Sequence, residues 1–438
     1  MGRNLDDLQA LASEARNRGA RGFEALETER AGLTWVTRGR NIDRSEGSEQ
    51  SLTVRVWVED GRRGVAHGNP ERQSELLAHA FVDATSAPKD PHGGPVRPGG
   101  APPRGLGIDD PRHDQLTEED RVDVLVSNQR AAVKEQGPVI AGPFLYRESR
   151  ELRRFVSNRG ASWESRSTLY EASGEVTLAT AAGPIRLSDR VAGRSFSATA
   201  CLPFGAMLGR RAAALIPDAA IAPSGPIRVL LPPRAVAPIL SWLATAFTHQ
   251  HLVDGDTLLS RVPLGQPLFH RRLHIVDDGL APGGLRTRAF DDRGVVPEPM
   301  PILREGCVAG RYLDPETART LDARPTGHTD GDTLRPSNLQ LNGGTRSIHA
   351  LLGEQDRLVF EVDAIETSGF DLATGQFDVV VNGVLHDRHK TLGAWRGVHL
   401  FGDIVTALQQ VASVSSDTDR ILDVDAPGLF LDGLSVRA

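Results

Sequence analysis

The first part of the chain alternates between helical and strand-like patterns of apolar residues. Leu5, Leu8 and Leu11 recur at helical spacing, which predicts an amphipathic helix over residues 4–18. Apolar and polar residues then alternate with a period of two, which is typical of half-buried strands, before helical spacing returns. The pattern predicts strands at 23–27, 33–37, 52–58 and 64–67, and a second helix at 71–85.

A run rich in Pro and Gly, residues 87–113, interrupts these periodic patterns. It has almost no large apolar residues, so we expect a linker or a mobile loop there. Thr117 and the three acidic residues after it have the pattern of a helix start, which predicts a helix to about Gln136. Beyond it the pattern predicts a turn at 158–160, strands at 151–157, 165–172 and 175–178, and a helix at 205–216.

Short strands and tight turns predominate from residue 226 onward. A hairpin is predicted with Glu305 and Gly306 at its bend, and Asp314 followed by Pro315 has the pattern of a helix start. The remaining predictions are strands at 226–231, 274–276, 357–385 and 429–436, helices at 235–248 and 399–413, turns at 328–332 and 382–383, and a solvated strand end at 386–389.

Together these elements predict an α+β fold with four parts along the chain. The predicted parts are a small N-terminal domain of helices and a β-meander (1–86), the Pro/Gly-rich linker or mobile loop (87–113), a strand-rich middle domain (114–225) and a C-terminal β-rich domain (226–438).

The composition narrows the classes of protein to which the chain can belong. It has 438 residues, of which 39% are hydrophobic and 24% charged, as in ordinary globular proteins. The formal net charge of −7 does not suggest a nucleic-acid partner, and no apolar run approaches the ~20 residues of a membrane helix. With only Cys201 and Cys307, we expect two buried free thiols in a protein of the reducing cytoplasm.

A succession of short motifs between His274 and Gly327 resembles the C-terminal domain of the TldD/PmbA family. The motifs are VDD at 276–278, PGG at 282–284, FDD at 290–292, and the segment from Pro301 to Leu321. Matching segments continue downstream at 335–339, 366–371 and 381–384. The resemblance implies a curved C-terminal sheet in which strands within 357–385 are partners of the strands near 275 and 305.

The resemblance also implies where the chemistry of the family should lie. TldD-type members carry a zinc-binding His-Glu-x-x-x-His motif before an EGD turn, and a cysteine near the C-terminus. Aligning Asp254-Gly255-Asp256 with that turn places Ala246 and Phe247 at the first His and the Glu, and His251 at the second His. Alanine and phenylalanine side chains can neither bind zinc nor move a proton, and no cysteine follows Cys307.

The resemblance is therefore to the PmbA (TldE) type, the non-catalytic subunit of a heterodimeric zinc metallopeptidase. It implies that this chain holds no catalytic or metal-binding residue and no cofactor, and that a TldD-like partner carries the zinc. The chain would shape a cavity for a peptide or a small amide substrate, with no nucleic acid or membrane involved. The candidate cavity residues are His251, Asp254, Asp256, His328, Ser337 and Asn338.

Three alternatives remain open at the level of sequence. The histidines between His249 and His274 could rebuild a metal site, although solvated loop histidines are the simpler interpretation. The chain could also be an amide-cleaving enzyme or subunit in a specialised-metabolite (antibiotic) pathway of an actinobacterium. As a third alternative, it could bind or shield a modified peptide without any hydrolysis.

Overall fold

The computed structural model of the chain describes residues 4–39, 41–90, 93–134, 139–179, 183–200, 202–215, 223–365 and 369–437. Two halves make up the described structure, and each is built around one large sheet covered by helices. This mixture of helices and sheets confirms the predicted α+β class.

The sheet of the first half contains six strands: β1 (Gly22–Arg38), β2 (Asn41–Trp57), β3 (Arg63–Gly68), β4 (Val139–Ser157), β5 (Ser162–Leu178) and β6 (Ile185–Gly193). Their spatial order is β3-β2-β1-β4-β5-β6, and all neighbours are antiparallel. The strands predicted at 23–27 and 33–37 are two parts of β1, because β2 and β4 pair with the polar residues between them. The strands predicted at 165–172 and 175–178 likewise merge in β5, and Gly160, with φ +102°, forms the predicted turn before it.

Helices pack against this sheet, and the described residues contain α1 (Leu5–Asn17), α2 (Gln73–Ser86), α3 (Glu118–Val133), α4 (Phe196–Ala200) and α5 (Phe204–Ala214). Leu8 and Leu11 of α1 are buried against the sheet, as their spacing predicts. Thr117 caps α3, since its side chain accepts a hydrogen bond from the backbone N–H of Asp120. The predicted end of this helix near Gln136 lies outside the described residues.

The Pro/Gly-rich segment forms no helix or strand between residues 93 and 112, but its second part is well packed. Ile108 and Asp110 are buried, and the backbone oxygen of Ile108 accepts a hydrogen bond of 2.7 Å from Thr168 N. Gly283 of the second half donates to the oxygen of Leu106. The segment thus connects both halves over residues 106–110. The four-part division stays a prediction, with the added fact that strands from 1–86 and from 114–225 share one sheet.

The sheet of the second half contains ten strands: β7 (Ser224–Leu231), β8 (Ile275–Asp277), β9 (Met300–Arg304), β10 (Cys307–Val308), β13 (Leu339–Leu341), β14 (Val359–Ile365), β15 (Gln376–Asp387), β16 (Lys390–Asp403), β17 (Val411–Ile421) and β18 (Val424–Arg437). The short strands β11 (Thr329–Asp330) and β12 (Thr333–Leu334) form a separate ribbon, which is the turn predicted at 328–332. β14 and β15 belong to the same sheet as β8 and β9, but the predicted direct pairing is wrong. They pair with each other and with β7 and β16.

The helices described in this half are α6 (Pro233–Thr245), α7 (His249–Asp254), α8 (Pro315–Thr320), α9 (Ile348–Gly353) and α10 (Ile404–Gln409). The helix predicted at 235–248 corresponds to α6, which ends at Thr245, and α7 follows it as a separate short helix. The helix predicted at 399–413 is wrong outside α10, because residues 399–401 pair with β18 and residue 411 begins β17. Sheet pairing outweighs the local helical pattern there.

Two turn predictions in this half have opposite outcomes. Glu305 (φ 50°) and Gly306 (φ 74°) both adopt the left-handed backbone of a two-residue hairpin, as predicted. The turn predicted at 382–383 is wrong, because these residues lie inside β15 at a shift of register, and Arg388 (φ 54°) makes the turn instead.

The cysteine prediction can be compared with the structure at one of its two positions. Cys307 is a free thiol that is partly exposed rather than buried, and Cys201 lies outside the described residues. No helix in the described part of the chain is both long and apolar enough to cross a membrane.

An ion network joins the two halves. Arg293 donates to Glu24 of β1 and to Glu316 of α8, each at 2.9 Å, and Arg63 of β3 donates to the other oxygen of Glu316 at 2.9 Å. Burial by itself would raise the pKa of Glu316, but the charges of Arg293 and Arg63 lower it to about 2. The network thus links β1 and β3 of the first half to α8 of the second.

Candidate functional site

The positions that align with the zinc motif lie directly after α6 and are apolar. Ala246 and Phe247 are fully buried in the core of the second half. A methyl group and a phenyl ring offer no lone pair to a metal and no acid–base group to a water molecule. The residues at these two positions therefore do not fit a zinc ion.

The other motif residues form a small polar group at the end of α7. His251 Nδ1 lies 3.0 Å and 3.1 Å from the two carboxylate oxygens of Asp256, and Asp254 accepts a weak hydrogen bond from Gln250. The His251 side chain is 38% exposed and that of Asp256 53% exposed. Within the described ranges, no set of three or more His, Cys, Asp or Glu side chains could hold a metal ion.

Two further candidates, Ser337 and His328, surround the buried carboxylate of Asp277. Oδ2 of Asp277 accepts hydrogen bonds from the Tyr312 hydroxyl at 2.6 Å and from the backbone N–H of Ser337 at 2.8 Å. The Ser337 hydroxyl donates to Oδ1. Asp277 of the VDD motif is thus a fully buried acceptor with three hydrogen-bond donors. We call the group formed by Asp277, Tyr312, His328 and Ser337 the Asp277 cluster.

His328 completes this cluster, although its ring makes no hydrogen bond. Its ring contacts the Tyr312 ring edge-on, with centroids 4.8 Å apart, and its Nε2 lies 3.6 Å from Asp277 Oδ2. That distance is too long for a hydrogen bond, and both ring nitrogens are buried without a hydrogen-bond partner. The imidazole is therefore held mainly by van der Waals packing and not by hydrogen bonds from its ring.

The chemistry available to the Asp277 cluster is limited by its burial and by its donors. Burial would raise the pKa of Asp277, but His328, Ser337 and Tyr312 together lower it, so this carboxylate stays ionised. Burial and the adjacent carboxylate raise the pKa of Tyr312 well above its usual value. Because the Ser337 hydroxyl donates to Asp277 and not to a histidine, it is not activated as a nucleophile. The cluster is suited to holding loops in place.

Tyr312 links this cluster to the degenerate zinc motif. Its backbone N–H donates to the oxygen of Phe247 at 3.0 Å, and its oxygen accepts from His249 N at 3.1 Å. The same residue donates through its hydroxyl to Asp277. The start of α7 and the VDD motif, distant in sequence, are therefore linked by one residue, through its backbone on one side and its hydroxyl on the other.

Asn338 positions the loop that follows the PGG motif. Its side-chain oxygen accepts from Arg286 N at 3.0 Å, and its amide nitrogen donates to Thr287 Oγ1 at 3.0 Å and to the oxygen of Asp278 at 2.8 Å. A Cβ atom added at Gly284 would lie 2.7 Å from Asn338 Oδ1, so the close approach requires glycine. Asn338 thus supports the wall of a cleft that it does not itself line.

This cleft has a volume of about 460 Å³ and lies between strands β1, β4 and β5 of the first half and the 285–292 loop of the second. Asp330 of β11 and Arg335, directly after β12, complete its wall. We call it the inter-half cleft. Sequence reasoning did not find it, because its residues are dispersed between Thr28 and Arg335. The only local signal was the pair of arginines at 286 and 288, directly after the PGG turn.

Comparison with protein families assigns the second half. Residues 224–438, a range that includes the Asp277 cluster and positions 246–251, match the PmbA/TldA metallopeptidase C-terminal domain. Proteins named PmbA and metalloprotease are similar to the chain. The C-terminal half of the chain belongs to the PmbA/TldD family. The family predicted from the motif order is thus confirmed.

Curated PmbA/TldD relatives resemble about half of the chain. A metalloprotease of Synechocystis sp. is 24% identical over 42% of the chain and 42% of its own length. The PmbA homologue of Buchnera aphidicola is 24% identical over 45% of the chain and 43% of its own length. The matched region thus spans less than half the length of these relatives. This similarity therefore does not assign their activities to the chain.

Solved structures show that the PmbA/TldD fold extends over the whole chain. TldE from Thermococcus kodakarensis superimposes with a TM-score of 0.86 at 18% identity, covering 98% of the chain and 100% of its own length. A Thermotoga maritima protein described as a candidate modulator of a DNA gyrase gives 0.87 at 20% identity, covering 98% and 99%. At these identities the likeness shows the fold alone.

Proposed function

We propose that this chain is the non-catalytic, PmbA/TldE-like subunit of a heterodimeric zinc metallopeptidase. The observation that carries the proposal is the burial of Ala246 and Phe247 in the apolar core, at positions where a zinc-binding relative needs imidazole and carboxylate. The family description and the names of the curated relatives support the metallopeptidase context.

In this proposal the zinc and the hydrolytic step belong to a TldD-like partner. A metal-bound water needs three protein ligands and a general base close by, and the partner would supply these from an intact His-Glu-x-x-x-His motif. This chain would complete the walls of the substrate cavity and restrict entry to peptides or small amides. His251 and Asp256, exposed at the end of α7, are its candidate contacts to that cavity.

The experiment is to purify this chain, alone and together with a TldD-type protein that carries the intact motif. Sedimentation velocity should show a one-to-one complex, and peptide cleavage should appear only in the complex and disappear when a chelator removes the zinc. A Glu→Gln change in the partner's motif should abolish cleavage without loss of the complex. If no TldD-type partner associates with the chain, the proposal fails. A complex that binds peptides but leaves every amide bond intact would favour the binding or shielding function instead.

A further inference from the structure

The inter-half cleft is rich in positive charge on a protein whose net charge is negative. The full chain has a formal net charge of −7, whereas the cleft is lined by the arginines Arg30, Arg153, Arg194, Arg286, Arg288 and Arg335. Three carboxylates line it as well, those of Glu151, Asp292 and Asp330.

Most of these charges are paired within the cleft wall. Arg30 donates to Glu151, Arg153 to Asp292, and Arg335 to Asp330. Arg286 pairs with Asp423, which lies behind the wall. Four of the six arginines therefore have a carboxylate of their own, and a surplus of two positive charges remains on Arg194 and Arg288.

Arg288 is the surplus cation whose guanidinium lies within ion-pair distance of two carboxylates but leaves its N–H donors unused among the described residues. Its guanidinium makes no side-chain hydrogen bond to any residue within the described ranges, although its side chain is only 24% exposed. The nearest carboxylates, Asp292 and Asp330, lie 3.6 Å away and already accept hydrogen bonds from Arg153 and Arg335. A partly buried guanidinium with unused N–H donors would be stabilised by a further hydrogen-bond acceptor.

Arg194 adds charge to the cleft but few donors. Its guanidinium donates to backbone oxygens, among them that of Thr168 at 3.1 Å and that of Leu285. Burial, together with the charges of Arg288 and Arg30, lowers the pKa of Arg194 to about 10, although the nearby Glu151 opposes this shift. An anion bound in the cleft would relieve this repulsion.

We propose that the inter-half cleft is a binding site for the carboxylate groups of an acidic peptide segment, with Arg288 as the principal donor. The planar guanidinium fork matches a carboxylate in bidentate geometry. Ser149, Ser165 and Ser167 from the adjacent strands β4 and β5 line the cleft as well, and Leu285 is its partly exposed apolar residue in the 285–292 loop. A volume of about 460 Å³ is in the range of small-ligand sites.

The construction of the cleft favours carboxylate over phosphate or nucleic acid. Phosphate sites usually use backbone N–H groups at a helix N-terminus or in a turn, and the lining residues of this cleft come from strands and loops. Nucleic acids are bound along extended basic surfaces, whereas the surplus here is two charges within one cleft. The proposal concerns this chain alone and holds whether or not it forms a complex with a zinc-bearing partner.

The test is calorimetric titration of the full chain with a capped pentapeptide containing two glutamates. The same peptide with two glutamines is the first control, and the glutamine peptide with a free C-terminal carboxylate distinguishes side-chain from terminal recognition. We expect the glutamate peptide to bind at least about tenfold more tightly than the capped glutamine peptide, the size of effect given by one charge-assisted hydrogen bond.

Variants locate the binding at the cleft. Arg288→Gln should weaken binding of the glutamate peptide about tenfold, whereas Arg72→Gln, whose side chain is 66% exposed on the surface, should leave it unchanged. Asp330→Asn should have the opposite effect and tighten binding severalfold, because it frees Arg335 and removes a competing carboxylate. This second variant keeps the test valid if Arg288→Gln fails to fold.

The results that would overturn the proposal are equally specific. Equal binding of the glutamate and glutamine peptides would exclude carboxylate recognition. Tighter binding of inorganic phosphate than of the glutamate peptide would assign the cleft to a different anion. Unchanged affinity in both folded cleft variants would place the binding elsewhere on the chain.

Discussion

The buried motif region around Phe247 is apolar, whereas the inter-half cleft is lined by many charged side chains. At the motif positions Ala246 and Phe247 are fully buried among apolar side chains, and no polar group remains to bind a metal. In the cleft, Arg288 keeps unused donors next to an opening of about 460 Å³. The positions that align with the zinc motif are thus closed to a ligand. The unused hydrogen-bond donors lie instead in the cleft between the two halves.

The Asp277 cluster shows what a satisfied polar site looks like in the same fold. Asp277 is as deeply buried as Phe247, yet its carboxylate accepts from Tyr312 and from both the backbone and the hydroxyl of Ser337. Buried charge is tolerated here because each oxygen has donors. The following predictions test the differences between these three regions.

The largest effect is expected from introducing a charge into the closed motif region. Phe247→Glu removes a buried ring and places a carboxylate among apolar side chains, so we expect a loss of about 5 kcal/mol in the free energy of unfolding. Urea denaturation followed by circular dichroism measures it. The matched control is Val253→Glu on α7, where the side chain is 68% exposed and the change should stay within about 0.5 kcal/mol. Equal stability of the two variants would contradict a sealed motif region.

The next effect concerns the Asp277 cluster. Asp277→Ala leaves the Tyr312 hydroxyl and the Ser337 N–H buried without their acceptor, and we expect a loss of about 4 kcal/mol. Asp378→Ala is the control, since that carboxylate is 53% exposed and pairs only at the surface, where about 1 kcal/mol or less is expected. Chemical denaturation at pH 7 compares them, and a small effect at Asp277 would mean that the cluster does not hold the loops.

A smaller effect is expected from the pH dependence of the network between the halves. The folded-state pKa of Glu316 is lowered from 4.5 to about 2, so its contribution is present above pH 4.5 and is lost as the pH falls towards 2. Glu316→Gln should therefore remove about 2 kcal/mol near pH 6 and flatten the stability profile between pH 4.5 and 2. Unfolding measured across this range should show no such flattening for Glu298→Gln, which changes an exposed glutamate.

The smallest effect is expected at Gly284, in the loop that forms the supported wall of the cleft. In Gly284→Ala the new methyl group would lie 2.6 Å from Thr287 Oγ1 and 2.7 Å from Asn338 Oδ1, so the loop must shift. We expect a loss of about 1 kcal/mol. Gly47→Ala meets no atom within 4 Å and should be neutral or slightly stabilising. Thermal denaturation of both variants checks this, and equal melting temperatures would show that the loop tolerates the shift.

Local signals predicted the local parts of this fold. The cap at Thr117, the bend at Glu305 and Gly306 and the strands around Val54 and Val229 follow from residues that are adjacent in sequence. The order of the motifs between His274 and Gly327 also indicated the family.

Non-local pairing explains what the sequence could not predict. Residues 399–401 have a helical pattern but pair with β18, because the long sheet offers them partners from the end of the chain. The cleft joins Arg30, Arg194 and Arg288, which come from three separate segments, and nothing in their local sequence indicates that they meet. Charge surplus is a property of the assembled walls, and so it appears only in the folded structure.

The central proposal is that this chain has no zinc site of its own and depends on a partner for hydrolysis. The most direct measurement is the metal content of the isolated full-length chain after equilibration with zinc and removal of the unbound metal. The account predicts far less than one zinc per chain, and about one per complex once a TldD-like partner is bound. One tightly held zinc per isolated chain would contradict it.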